Sequence, residues 1–192
     1  MPKKTLHTPL EEGEIADLNL GDIVYLSGDM YTARDQAHHR IIDYADTGKK
    51  LPIKTGAVIY HCGPLVRLQE DNWQILAAGP TTSARMNAAT PAVIKQLRIR
   101  AIIGKGGMDA QTRTAMRDYG CVYLAITGGA AVLAAAGIIA VKAVYWDDLG
   151  MAEAVWHFQV EDFGPLVVSI DANGNSLYER INAAAKRNVL AF

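Results

Sequence analysis

The sequence is short of cysteine and lacks a long apolar run, a charge imbalance and any internal repeat. Its two cysteines, Cys62 and Cys121, cannot build the disulfide framework of a small secreted domain, and they stand far outside any CxxC spacing. Each reads as a small buried hydrophobe. Nowhere do about 18 apolar residues follow one another, the length that a membrane-crossing helix needs. Even the alanine-rich region 126–144 is broken by Gly128, Gly129, Gly137 and Lys142. At the start, Lys3 and Lys4 are followed by Thr5, Leu6 and His7 and not by an apolar stretch of signal-peptide length. The expectation is a soluble, cytoplasmic protein with no membrane association. The 19 basic and 20 acidic residues nearly cancel, which argues against nucleic-acid binding through a basic face.

What is present points to a globular fold. Half of the 192 residues are hydrophobic, enough for one well-buried core, and no low-complexity linker divides the chain. One domain over residues 1–192 is expected. A β-rich run at 23–27 is closed by Gly28-Asp29, which reads as a turn. Ala33, Ala37, Ile41 and Ala45 then recur at four-residue spacing, predicting an amphipathic helix over 32–47 that ends at Gly48. A strand at 57–62 and another at 73–78, separated by a polar turn at Glu70-Asp71-Asn72, read as neighbours. From Pro91 the pattern alternates: helix 91–97, strand 101–103, helix 109–119 stopped by Gly120, strand 121–126, then a small-residue helix through Ala136. Strands near 138–144 and 165–170, a turn at 171–175 and a helix at 177–187 complete the reading. The chain is β-rich first and α/β later.

Three loops carry cations beside glycine or hydroxyl residues. The stretch Gly79-Pro80-Thr81-Thr82-Ser83-Ala84-Arg85-Met86 lies between a strand and the helix opened by Thr90-Pro91. It is either a cradle for a carboxylate or phosphate, with Arg85 as a bidentate fork, or a hydroxyl-rich turn satisfying its own backbone. Lys105, within Gly104-Lys105-Gly106-Gly107, stands at a strand end where glycines allow close backbone approach. The spacing is neither a P-loop nor GxGxxG. Arg34 falls in the first turn of the 32–47 helix, where unpaired N–H groups favour an anion; the alternative is a surface arginine. His38 and His39 point about 100° apart on a helix and cannot jointly hold one metal ion. Together, Arg34, Arg85 and Lys105 suit a small dianion such as a dicarboxylate.

The motifs Gly21-Asp22, Ser27-Gly28, Arg34-Asp35-x-Ala37-His38, Gly63-Pro64, Gly79-Pro80-Thr81-Thr82-Ser83-x-Arg85-Met86, Gly104-Lys105-Gly106, Gly128-Gly129-Ala130-Ala131 and Val160-Glu161-Asp162-Phe163 resemble one family, over about residues 6–179. That family is the β subunit, or C-terminal domain, of class I fumarate hydratases and L-tartrate dehydratases. The resemblance implies an α/β fold, a swivelling three-layer β/β/α domain. It implies a hydro-lyase with a [4Fe–4S] cluster whose open iron acts as Lewis acid. A cluster needs three thiolates, and this chain has two isolated cysteines. By the resemblance the cluster belongs to a partner α subunit, the site is shared, and the assembly is α2β2. By the same resemblance Thr81 is the base at the proton-bearing carbon, or a hydrogen-bond donor there, while Arg34, Arg85 and Lys105 grip the substrate carboxylates. No metal ligand is assigned to this chain. The expected function is the β subunit of fumarate hydratase. The alternatives are the β subunit of L-tartrate dehydratase and a noncatalytic subunit that binds a dicarboxylate.

Overall fold

Two long strands, β2 (Ile23–Thr32) and β9 (Val155–Ile170), pair antiparallel although more than a hundred residues separate them in sequence. Their pairing closes the fold. The computed structural model describes residues 3–70, 72–129 and 131–189. Around the two long strands stand β1 (Lys3–His7), β3 (Val58–Tyr60), β6 (Ala101–Gly104), β7 (Val122–Ala125) and β8 (Ile138–Tyr145). β2, β3, β6 and β7 are successive parallel neighbours, and β9 runs antiparallel to both β7 and β2. These five strands form a closed, barrel-like mixed sheet. β1 extends it beside the first half of β2, and β8 beside the first half of β9. The helices are α1 (Glu12–Ala16), α2 (Asp35–Asp46), α3 (Thr90–Leu97), α4 (Ala110–Tyr119), α5 (Ala131–Ala136) and α6 (Leu177–Val189). A hairpin of β4 (Leu65–Gln69) and β5 (Asn72–Ala77) forms a separate two-stranded sheet.

Period-2 alternation divides the strand residues between two cores. Val58, Tyr60, Ala101, Ile103, Val122 and Leu124 face the barrel interior with Val24, Leu26, Phe158 and Val168. Their neighbours Ile59, Ile102 and Tyr123 face outward, against Ala37 and Ile41 of α2, Val93, Ile94 and Leu97 of α3, and Ala115 and Met116 of α4. Strands buried on both faces read as continuous apolar runs, which is what parallel neighbours covered by helices require. Removing one fully buried side chain such as Ile102 or Leu124 from water stabilises the fold by about 1.5–3 kcal/mol.

Several expectations need correction. Gly28-Asp29 is not a turn, because β2 continues through it to Thr32. Gly28 has φ of +109°, and the β2–β9 register shifts between Leu26 and Gly28, so the glycine makes a bulge. Across the ladder Asp162 adopts φ of +46°, and its N–H donates to Ser27 Oγ at 3.1 Å. Two of the resemblance motifs thus meet at a structural bulge. Helix α2 starts at Asp35 because Thr32 is still ladder: its hydroxyl accepts from Trp156 N at 3.0 Å. β5 neighbours β4 and not β3, and β4 was not expected as a strand. β9 is 16 residues long where only its last third was expected. The polar opening stretch holds β1 and α1. Asp71 of the expected turn and Ala130 of the double-glycine motif lie outside the described residues.

Candidate active site

The parallel order brings the carboxyl ends of β2, β3, β6 and β7 to one end of the barrel, where loops of α/β folds hold ligands. Arg34 follows β2, His61 to Gly63 follow β3, and Lys105 follows β6. The hydroxyl stretch is laced between the β3 and β6 loops. Pro80 bridges Cys62, Thr81 N–H donates to the His61 carbonyl at 2.8 Å, and Lys105 N–H donates to the Thr81 carbonyl at 3.4 Å. Ser83 N–H then donates to the Lys105 carbonyl at 3.1 Å, and the chain enters a 3₁₀ turn at Ser83–Met86. Thr81 and Lys105 are therefore adjacent in backbone, and both are half-buried. Gly128 faces Lys105: a Cβ placed there would stand 3.6 Å from Lys105 Cδ.

The two arginines gather at the start of α2. Arg34 is its N-cap residue, and Asp35 is in the first turn, where the helix dipole favours an anion. Arg34 Nε lies 3.3 Å from Glu153 Oε1, while Glu153 Oε2 accepts from Gln36 N–H at 3.0 Å. Glu153 caps the helix from the 150–154 turn. Arg85 Nη2 donates to Asp35 Oδ2 at 2.8 Å, with the arginine half exposed. Each guanidinium thus carries an internal carboxylate that a ligand carboxylate would compete with. Gly63 is the wall behind Arg34, since a Cβ there would stand 2.6 Å from Arg34 Nη1.

Four residues behind Thr81 had no individual role from sequence, Ser83 being read only as one of three hydroxyls in the candidate cradle. Ser83 is fully buried, whereas Thr82 beside it is exposed. Ser83 Oγ lies 2.8 Å from Tyr123 Oη and 2.9 Å from His61 Nδ1. His61 packs edge-to-face on His38, with ring centroids 5.1 Å apart, and His38 Nδ1 is 2.9 Å from the Arg34 carbonyl. Burial pushes His38 down to about 4, against the opposing Arg34 carbonyl and Asp35 charge. Burial and the neighbouring His38 hold His61 well below the usual imidazole range. Their sequence signals were slight: His38 and Ser83 stand inside two of the motifs, His61 two residues before a third, and Tyr123 in none. A cleft of about 700 Å³ lies elsewhere, lined by Arg113, Arg117, Asp171, Asn175 and Glu179, and by none of Thr81, Arg34, Arg85 or Lys105.

This geometry can be set beside known proteins. The family described as Fumarase C-terminus matches residues 3–181. The chain belongs to the fumarase C-terminus family. Its similarity extends to an Escherichia coli K12 protein named L(+)-tartrate dehydratase subunit beta, 39% identical over 178 residues, covering 91% of this chain and 86% of that one. A Methanocaldococcus jannaschii protein, provisionally given the same subunit name, is 47% identical over 175 residues, 90% of each chain. A Geobacillus stearothermophilus protein provisionally named a class I fumarate hydratase is 41% identical over 189 residues, 98% of this chain but 36% of the longer one. Among fumarase C-terminus relatives, then, the domain occurs both as a separate subunit and within a longer chain. The relatives' names are those of hydro-lyases, and the four sequence-predicted residues stand on the loops at one end of the barrel.

The cluster implied by the resemblance can be tested against this chain's own side chains. Cys62 is sealed in the inner core and Cys121 in the outer one. Burial pushes the Cys62 thiol up to about 12, partly opposed by the Arg34 charge. Among the described residues no three His, Cys, Asp or Glu side chains come together to hold a metal ion. Three thiolate ligands do not fit here. No helix among the described residues is long and apolar enough to cross a membrane.

Proposed function

We propose that this chain is the β subunit of a two-subunit dehydratase that removes water from L-tartrate to give oxaloacetate. The observation carrying this reading is the pinning of Thr81 between the β3 and β6 loops, with Lys105 beside it in the backbone. The names of the subunit relatives favour tartrate over the fumarate reading expected from sequence. The Geobacillus relative keeps hydration of fumarate to malate as the second reading.

Removing water from a 2-hydroxy dicarboxylate needs a base for the proton beside a carboxylate and donors for the negative charge that develops there. Thr81 takes the base position or donates a hydrogen bond in it. A threonine hydroxyl is a very weak acid, so Lys105 and Arg85 supply the positive field that alkoxide character requires. Arg34 and Arg85 exchange their contacts with Glu153 and Asp35 for substrate carboxylates, and Lys105 holds the enolate oxygen. Departure of the hydroxyl is left to a cluster-bearing α subunit, since this chain offers no ligand set for the cluster. The assembly is α2β2 and cytoplasmic by analogy with the family. The barrel walls and the helix layer would then correspond to the three layers of a swivelling β/β/α domain.

The test is anaerobic co-expression with a cluster-bearing α subunit, followed by separate assays of oxaloacetate from L-tartrate and of alkene absorbance from malate. Activity on tartrate is expected. Activity on malate alone would move the assignment to the fumarate reading, and activity on neither would refute both.

A further inference from the structure

The residues that carry Thr81 and Arg85 are anchored by a buried side chain that the proposed chemistry does not use. Ser83 lies between them in sequence and is fully buried. Gly104, at the end of β6, leaves the space that Ser83 Oγ fills, and a Cβ there would also stand 2.9 Å from Tyr123 Oη. The serine is therefore a peg set between the carboxyl end of β6 and Tyr123 of β7.

Each group around this peg brings a fixed set of donors and acceptors. The Arg34 carbonyl can only accept, so His38 carries its proton on Nδ1 and a lone pair on Nε2. Tyr123 is fully buried, and Ser83 Oγ is the acceptor in reach of its hydroxyl, so Tyr123 donates and Ser83 accepts. Ser83 then donates its own proton to His61 Nδ1, which places the His61 proton on Nε2. Either direction leaves one buried donor without a partner, the Tyr123 hydroxyl in the opposite case and His61 Nε2–H in this one. The opposite direction would also leave lone pairs on both Nε2 atoms. Among the described residues these atoms are sealed from solvent and have no hydrogen-bond partner, in two rings 5.1 Å apart. With the direction deduced above, one bears a proton and the other a lone pair.

We infer that His61 is a positioning residue: through Ser83 it fixes the loop carrying Thr81 and Arg85, and its packing against His38 ties that loop to the backbone of Arg34. The two histidines are opposite neutral tautomers. The arrangement joins the proposed base and two of the proposed carboxylate contacts into one rigid unit. The catalytic part of this inference rests on the dehydratase reading, while the tautomer part does not.

Two experiments test it. In the full chain labelled with ¹⁵N-histidine at pH 7.5, His61 is expected to show a proton on Nε2 and an accepting Nδ1, and His38 the reverse. Ser83→Ala should move the His61 Nδ1 signal and leave the fold intact. A proton on His61 Nδ1, or a His61 signal indifferent to Ser83→Ala, would overturn the wiring whatever the substrate is. In the assembled enzyme, His61→Leu and Ser83→Ala should each lower kcat about 10- to 100-fold, the scale of a 1 Å misplacement of reacting groups. The double variant should lose no more than the larger single loss, because both act on one anchor. His61→Asn, which can place an amide oxygen where Nδ1 accepts, should recover most of the rate. Additive losses, or no recovery by asparagine when complexes assemble equally, would overturn the positioning role. Should the His61→Leu chain fail to fold, the Ser83→Ala and His61→Asn complexes decide the matter. A wild-type complex inactive on tartrate and malate would refute the proposed function, and the tautomers would still judge the anchor.

Discussion

Substituting Gly63 by alanine would probe how Arg34 is held. The added methyl would stand 2.6 Å from Arg34 Nη1, 2.6 Å from the Ala152 carbonyl oxygen and 3.0 Å from Ala152 Cβ. Ordinary contact begins at 3.4 Å, so something must retreat by about 0.8 Å. Ala152 lies in a turn fixed by Glu153 N–H and Ala154 N–H, which donate to the Gly150 carbonyl at 3.0 and 2.9 Å. The arginine tip has more freedom and gives way, leaving its place beside Glu153. If Arg34 grips a substrate carboxylate, losing a charge-assisted hydrogen bond of about 1.5–3 kcal/mol lowers kcat/KM roughly 10- to 150-fold. Overpacking by about 1–3 kcal/mol accompanies it, which for a domain of this size lowers Tm by roughly 2–12 °C. The assay is steady-state kinetics of the assembled enzyme beside thermal unfolding of the same preparation. A lowered Tm with kcat/KM unchanged would refute the placement of Arg34 in the carboxylate grip.

Other outcomes follow from the buried groups and the bulge. Because burial holds His38 down to about 4, the unfolded chain binds a proton there that the folded chain refuses. The stability present above pH 6.5 is lost as pH falls from 6.5 towards 4, about 2 kcal/mol of it between pH 7.5 and 5. Urea unfolding at those two pH values should show this loss, and His38→Gln should remove it; equal pH slopes in the two proteins would contradict the buried neutral histidine. Gly28→Ala meets a φ of +109° and the Thr8 carbonyl oxygen at 3.0 Å, and should destabilise by about 1–3 kcal/mol. Gly13→Ala, in α1 with open space around its Cβ, should instead stabilise by about 0.5–1 kcal/mol. The same sign for both in denaturant titrations would argue against the bulge.

The second half of the fold was largely legible because its signals are local. Apolar runs bounded by turn residues predicted β6, α4 and β7 within a few residues, and Gly120 at φ of +65° ends α4 as expected. The barrel closure was hidden because it depends on pairing between residues more than a hundred positions apart. Gly28 looked like a turn since a glycine in a bulge and one in a turn supply the same positive φ. β9 was cut short in the reading because Glu161-Asp162 and Gly164-Pro165 interrupt its apolar alternation, while the structure absorbs Asp162 into the bulge opposite Ser27. Thr81, Arg85 and Lys105 were visible as polar residues of loops that follow strands, and Arg34 as a residue expected in the first turn of a helix, which the structure makes its N-cap. Which of three consecutive hydroxyls is buried was not visible: Thr82 points to solvent and Ser83 into the core because Gly104 at the end of β6, Tyr123 within β7 and His61 just after β3 leave room for one of them. Similarly, Glu153 belongs to the site through tertiary placement and carries no local sequence signal for it, while Asp35 was visible only as the neighbour of Arg34 in one motif.

The most direct test is turnover by the Thr81→Ala chain assembled anaerobically with a cluster-bearing α subunit. The wild-type complex should convert L-tartrate to oxaloacetate, and the variant should assemble to the same mass and colour with turnover abolished. A variant complex that retains full turnover would contradict the assignment of Thr81, and with it the claim that this end of the barrel is where the chain does its chemistry.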